Sequence, residues 1–156
     1  MIRIGLISDT HGLLRPEALS LLRGSDFIVH AGDIGERVLE RLATIAPVTA
    51  VRGNNDRAEW AMRLPETETL QFGELRLHVL HDLAQLAIDP GAAGVDVVVA
   101  GHSHRPRVER RSGVLYVNPG SAGPVRFRLP VSVGLMQLRG REVDVRIVEL
   151  ESLPVA

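Results

Sequence analysis

Apolar and polar positions along this 156-residue chain alternate in short blocks. Ile2 to Ile7, Phe27 to Val29, Val48 to Val51, Leu75 to Leu80 and Val95 to Ala100 are runs of strand length, rich in β-branched residues or Leu, and read as buried strands. After the first run, Pro16 to Arg23 belongs to a segment with Leu14, Ala18, Leu21 and Leu22 at helical spacing, and Pro16 suits a first helical turn. Val38, Leu39, Leu42 and Ile45 form the apolar face of a second helix whose Glu36, Arg37, Glu40 and Arg41 face water. Strand, helix, strand, helix, strand is the start of a parallel βαβαβ arrangement. The second half reads as hairpins: Thr67 to Phe72 with Leu75 to Leu80 through Gly73-Glu74, Arg107 to Arg111 with Val114 to Val117 through Ser112-Gly113, and Val131 to Leu138 with Glu142 to Leu150 through Arg139-Gly140. Ala84 to Gly94 is expected to hold a short helix, interrupted by Pro90-Gly91. With no repeat and no linker, residues 1–156 are expected to form one domain, an α/β sandwich of two mixed β-sheets with helices outside.

Polar residues able to hold a metal stand at the C-terminal end of each strand-like run. They are Asp9 and His11, Asp33, Asn54, His81, and His102 and His104. Functional loops of open α/β sheets gather at that end of the strands, so these side chains are expected to converge on one edge. Asp9 and His11 are two apart, as are His102 and His104, and in extended chain such pairs point the same way.

Composition narrows the chemistry. There is no cysteine, so thiolate zinc sites, disulfides and cysteine nucleophiles are excluded, and a metal must sit on His, Asp and Asn. The formal charge is -1 and all 18 basic residues are Arg, with hydrophobic residues at 45%; neither disorder nor a strong nucleic-acid signal follows. No apolar run reaches transmembrane or signal-peptide character, and a cytoplasmic location without membrane association is expected.

Seven candidate ligands exceed the needs of one ion and suit two divalent ions sharing a carboxylate, for which Asp33, alone in its loop, is the natural bridge. Two such ions outweigh Asp9, Asp33 and a bound hydroxide, and neutral Asn54 keeps the centre positive, which favours an anionic substrate such as a phosphate ester.

Asp9-x-His11, Gly32-Asp33, Gly53-Asn54-Asn55-Asp56, His81 and Gly101-His102-Ser103-His104, followed by Asn118-Pro119-Gly120-Ser121, resemble the ordered motif series of the calcineurin-like metallophosphoesterases, in the compact spacing of their small bacterial and archaeal phosphodiesterase branch. The likeness covers roughly residues 1 to 126. It implies one metal on Asp9, His11, Asp33 and His104 and another on Asp33, Asn54, His81 and His102, with Asp33, Asn54 and His81 at the catalytic centre. It further implies attack by a metal-bridging hydroxide on a phosphodiester, nucleotide-like among the options, with manganese the first choice of ion and nickel, iron or zinc the others. Asn55, Arg105 and Arg126 are the expected substrate contacts, and a homodimer is the expected assembly.

The pattern departs from the family at Asn55, where many relatives carry a His for the leaving group, at Asp82, usually Gly, and at Leu83, often a second His. Asn55 favours diesters with stable leaving groups; Asp82 is expected either to disturb a backbone that Gly permits or to add negative charge near the second metal. The alternatives are a phosphomonoesterase and a non-catalytic protein-interaction scaffold, the role of the retromer subunit that shares this fold. Strand parity puts His81 with Leu75, Leu77 and Val79 on the buried face and His78 on the wetter one, as a surface residue. His30 is expected to support a ligand or to pack, Asp56 to cap the segment Arg57 to Met62, and Arg107, Arg110 and Arg111 to be ordinary exposed strand residues.

Overall fold

The computed structural model describes residues 1–150; the remaining residues of the expected 1–156 domain lie outside the described ones. Among the described residues there are ten strands, β1 Ile2–Ile7, β2 Phe27–His30, β3 Val48–Ala50, β4 Thr67–Phe72, β5 Leu75–Leu80, β6 Val97–Val99, β7 Arg107–Arg111, β8 Val114–Asn118, β9 Ser132–Arg139 and β10 Glu142–Glu149, and two short helices, α1 Pro16–Leu22 and α2 Val38–Leu42. The strands form two five-stranded sheets in the orders β10-β9-β1-β2-β3 and β4-β5-β6-β8-β7. Both are mixed: β1, β2 and β3 are parallel while β9 runs against β1, and β5, β6 and β8 are parallel between antiparallel β4 and β7. The expected α/β sandwich of two mixed sheets is the observed one, and each of the three expected hairpins is present.

Period-two alternation explains the layers. Ile4 and Leu6 of β1, Val29 of β2 and Met136 and Leu138 of β9 meet Leu77 and Val79 of β5, Val97 and Val99 of β6 and Val117 of β8 in the core between the sheets. The other face of the first sheet, with Ile7 and Ile28, packs on Ala18 and Leu22 of α1 and Val38 and Leu42 of α2. Helix α1 starts with Pro16 at its first position, where a missing N–H costs nothing. Gly5 lets α1 approach, since a β-carbon there would stand 2.6 Å from Leu22 Cδ2.

Two expectations need correction. The stretch Ala84 to Gly94 holds no α-helix: a 3₁₀ turn, Leu83–Gln85, is followed by bends and turns around Pro90-Gly91, and Asp82 caps the turn by accepting the Ala84 N–H at 3.0 Å. His78 is buried, at 6% exposure. Its face of β5 is covered, because Leu80 and Val98 on that face form a third apolar cluster with Leu83 and Leu86. Thr69 Oγ1 lies 2.8 Å from His78 Nδ1, and burial lowers the pKa of this imidazole. Among the described residues, no helix is long and apolar enough to cross a membrane.

Candidate metal centre

Strands β1, β2, β5 and β6 deliver their last residues to one edge of the sandwich, and their loops are tied to one another. Asp9 N–H donates to Gly32 O at 3.0 Å, His11 N–H to Asp33 O at 3.0 Å and Gly101 N–H to His81 O at 2.9 Å. The chain turns sharply as each strand ends. Nine non-glycine residues among the described ones have positive φ, and five of these are candidate ligands: Asp9, His11, Asp33, His102 and His104. Left-handed backbone costs an L-residue about 1–2 kcal/mol, so strain is concentrated where the side chains converge.

Asp9 is at the centre and fully buried. Its Oδ2 accepts the Ser8 hydroxyl at 2.6 Å and the His102 N–H at 3.1 Å. Oδ1 has no hydrogen-bond partner, and lies 3.3 Å from His104 Nε2, 3.8 Å from His81 Nε2 and 4.0 Å from His11 Nε2. His11 Nε2 and His104 Nδ1 are likewise buried without a hydrogen-bond partner. Asp33 Oδ2 stands 3.3 Å from His81 Nε2 and 3.8 Å from His11 Nε2, so this carboxylate reaches both sides of the cluster. His81 Nδ1 is 2.8 Å from Ala31 O, to which it donates, and this leaves Nε2 free to face the two carboxylates.

Burial alone would raise the Asp33 carboxyl, but the hydrogen bond from His81, that from the Asn55 N–H and the nearby His81 and His11 charges bring it down to about 2. Burial opposes charge on His81, yet Asp33 and Asp9 outweigh it and raise its pKa. Burial lowers His104, with Asp9 opposing and His11 and Arg126 reinforcing the effect. An imidazole drawn toward its cationic form between two carboxylates marks a place that favours positive charge.

The fit to metal is good on these grounds. Asp9, His11 and His104, and Asp9, Asp33 and His81, each bring three ligand atoms within 4.8 Å of one another, and two buried atoms without a hydrogen-bond partner, Asp9 Oδ1 and His11 Nε2, face each other there. His102 and Asn54 are exposed and line a cleft of about 310 Å³ with His81 and Asp82. His102 Nδ1 is 3.3 Å from His81 Nε2.

Asn55 gives its backbone N–H to Asp33 Oδ1 at 2.9 Å and its side-chain amide to Oδ2 at 3.1 Å, so its direct partner is Asp33. Arg126 is exposed and close enough to His104 to bear on its charge; Arg105 is exposed beyond His104. Asp82 has φ -114, an ordinary extended value, so no glycine-only backbone is disturbed there; its Oδ2 lies 3.8 Å from His102 Nε2.

Several supporting residues act through the backbone. Asp56 is buried and accepts three N–H groups: Ile34 at 2.8 Å on Oδ1, and Asp33 at 2.8 Å and Gly53 at 2.9 Å on Oδ2. It thus joins the loop after β2 to the loop after β3, instead of capping the segment that follows it. His30 is fully buried, with Nδ1 accepting the Gly32 N–H at 3.0 Å and Nε2 lying 3.0 Å from Thr10 Oγ1, which donates to Ile34 O at 2.6 Å. The neutral ring protonated on Nε2 satisfies every partner, and burial brings its pKa down to about 3. Asn118 Nδ2 holds Gly101 O at 3.0 Å and Ser103 Oγ at 3.1 Å, fixing the loop that carries His102 and His104. Ser8 was not singled out by sequence, although a serine just before a ligand Asp at a strand end is a natural donor to it.

Two mixed sheets with two carboxylates and four imidazoles gathered at one edge define a metal-site α/β sandwich. The profile of the calcineurin-like phosphoesterase superfamily domain matches residues 2–141. A probable metallophosphoesterase of Methanothermobacter thermautotrophicus is 33% identical over 158 residues, covering 93% of this chain and 91% of its own. Phosphodiesterase YfcE of Escherichia coli K12 is 30% identical over 167 residues, covering 87% of this chain and 88% of its own. Among solved structures, Vps29 of Chaetomium thermophilum shares the fold, with a TM-score of 0.78 at 23% identity over 94% of this chain and 95% of its own. The chain belongs to the calcineurin-like phosphoesterase superfamily, whose members use divalent metals.

Proposed function

We propose that the chain is a metal-dependent phosphodiesterase, one domain over residues 1–156, holding two divalent ions with manganese the first choice. Asp9, His11, Asp33 and His104 would hold one ion, and Asp33, Asn54, His81 and His102 the other. The observation that carries this reading is the unpartnered, buried Asp9 Oδ1 facing three imidazoles, with His11 Nε2 among them also unpartnered. Such ions supply a positive field that stabilises charge developing on a phosphoryl group and acidifies water near them.

The chain's own residues do the rest. Asn55 and His81 keep Asp33 ionised and oriented, and the carbonyl of Ala31 fixes the His81 ring. Arg105 and Arg126 offer guanidinium groups to phosphoryl oxygens at the rim. With Asn at position 55 and its amide engaged, no imidazole follows Asn54 to protonate a leaving oxygen, so diesters with stable leaving groups are favoured.

The test is hydrolysis of bis(p-nitrophenyl) phosphate beside p-nitrophenyl phosphate by metal-stripped protein reloaded with manganese, nickel or zinc. Diester turnover that needs metal and disappears in Asp33→Asn is the expected result. If wild type takes up metal yet hydrolyses neither ester with any ion, the enzyme reading is wrong.

A further inference from the structure

A hollow of about 580 Å³ opens on the outer face of the second sheet, next to the cleft that holds Asn54 and His81. The two share Asp82 and His102 as a common wall, so the hollow begins where the candidate metal centre ends. We propose that it seats one ester arm of the substrate, and that this arm is a planar aromatic ring, aryl or nucleobase; the inference rests on the phosphodiesterase reading above.

The lining supports a flat, largely apolar occupant with some affinity for cations. Leu83, Val98 and Leu129 supply apolar surface, and the half-buried Tyr116 supplies an aromatic one. Of the three guanidinium groups around it, Arg107 and Arg111 are paired with Glu109, and Arg111 also lies 4.7 Å over the Tyr116 ring. The guanidinium of Arg105 has no partner among the described residues, and Arg105 follows directly on His104. An unpaired planar guanidinium beside an apolar floor is suited to stack on a ring or to meet ring oxygens, which an alkyl arm would not use. The volume lies within the range of small-ligand pockets and is ample for a nucleoside or a substituted phenyl group.

The hollow is also firm. Its wall at Gly101 and Ser103 is held by the Asn118 amide, and Asn118 Oδ1 in turn accepts the Gly120 N–H at 2.9 Å. A preformed wall loses little entropy when a ring docks against it. Nothing in this arrangement needs a metal, so the pocket can be probed separately from turnover.

The experiment has two arms. First, binding of phenyl phosphate, thymidine 5′-monophosphate and butyl phosphate to metal-free protein is measured by saturation-transfer NMR. Ring protons of the first two should receive the saturation, butyl phosphate should bind about tenfold more weakly, and Leu129→Trp, which fills the hollow from the half-buried loop before β9, should remove the difference. Second, with metal restored, methyl p-nitrophenyl phosphate and thymidine 5′-(p-nitrophenyl phosphate) are compared in wild type and Leu129→Trp. A KM increase of about tenfold for both esters identifies an aryl occupant, and an increase for the thymidine ester alone identifies a nucleobase. Equal binding of butyl and phenyl phosphates, with Leu129→Trp unchanged, overturns the pocket whatever the esterase result. If wild type turns over neither ester, the phosphodiesterase reading fails, and the binding arm still decides whether the hollow takes a ring.

Discussion

Replacing Asp56 by Asn is a severe perturbation that changes the side chain hardly at all in size. The carboxylate accepts Ile34 N–H on one oxygen and both Asp33 and Gly53 N–H on the other, and it is 6% exposed. In its better rotamer the Asn oxygen keeps Asp33 and Gly53, while its NH2 group faces the Ile34 N–H, donor against donor. The loss of one hydrogen bond to a charged acceptor is worth about 1.5–3 kcal/mol, and a buried amide left unsatisfied adds a similar amount, so Asp56→Asn should cost about 3–6 kcal/mol and Asp56→Ala more. Urea unfolding of metal-free protein, extrapolated to water, measures this. Asp26→Asn is the control: Asp26 is exposed and accepts a single N–H, from Arg3 at 2.8 Å, and its replacement should cost less than about 1 kcal/mol. The Asp56 variants should also bind manganese more weakly, because the same bonds fix the backbone of Asp33. Equal destabilisation by Asp56→Asn and Asp26→Asn would show that the three bonds do not carry the linkage between the loops.

Other outcomes follow from the same geometry. His30 is neutral in the fold with a pKa of about 3 but titrates near 6.5 when unfolded, so the unfolded chain binds the extra proton between those values and stability falls as pH drops below 6.5. At about 1.4 kcal/mol for each pH unit of that window the full effect approaches 5 kcal/mol; the slope of stability against pH, from pH 7 to 4, should be shallower in His30→Asn, and an unchanged slope would rule out this origin. His11→Gly removes a side chain from left-handed backbone at φ 48, so metal-free protein should gain up to about 1 kcal/mol while metal binding weakens; a loss of thermal stability without metal would contradict the strain argument. At Gly101 a β-carbon would stand 2.7 Å from Asp9 Oδ2 and closer still to Ser8 Oγ, so Gly101→Ala should abolish metal binding, as isothermal titration can show, even where the fold survives.

The strands and hairpins were legible because β-branched runs with period-two alternation and glycine-containing turns have few other meanings. The convergence of Asp9, His11, Asp33, His81 and His104 was legible too, since each stands shortly after a strand and parallel strands end on the same side. His78 was misread because parity assigns a residue to a face but says nothing of what covers that face; Leu83 and Leu86 cover it from a 3₁₀ turn that carries no helical periodicity. The second helix ends at Leu42, and Ile45 packs from the turn beyond it, which extends the apolar pattern past the helix itself. Asp56 reads in the sequence as a cap for the segment after it, because its actual partners at Asp33 and Ile34 are backbone amides twenty-three and twenty-two residues away, and amides leave no trace in a sequence pattern. The hollow beside His102 is equally hidden, being a shape made jointly by β6, β7, β8 and three loops.

The left-handed backbone at Asp9, His11, Asp33, His102 and His104 bears on what kind of protein this is. A molecule using the sandwich only as a docking platform would fold at least as well with glycine at the three histidines, gaining up to about 1 kcal/mol at each, whereas Asp9 and Asp33 also hold neighbouring donors. Placing histidine there instead lowers the stability of the empty fold and is repaid only when a cation arrives. Metal should therefore act as a folding ligand for this chain, shifting its melting temperature upward in proportion to the logarithm of the free ion concentration. The abundance of active protein in a cell would then follow metal supply as well as synthesis.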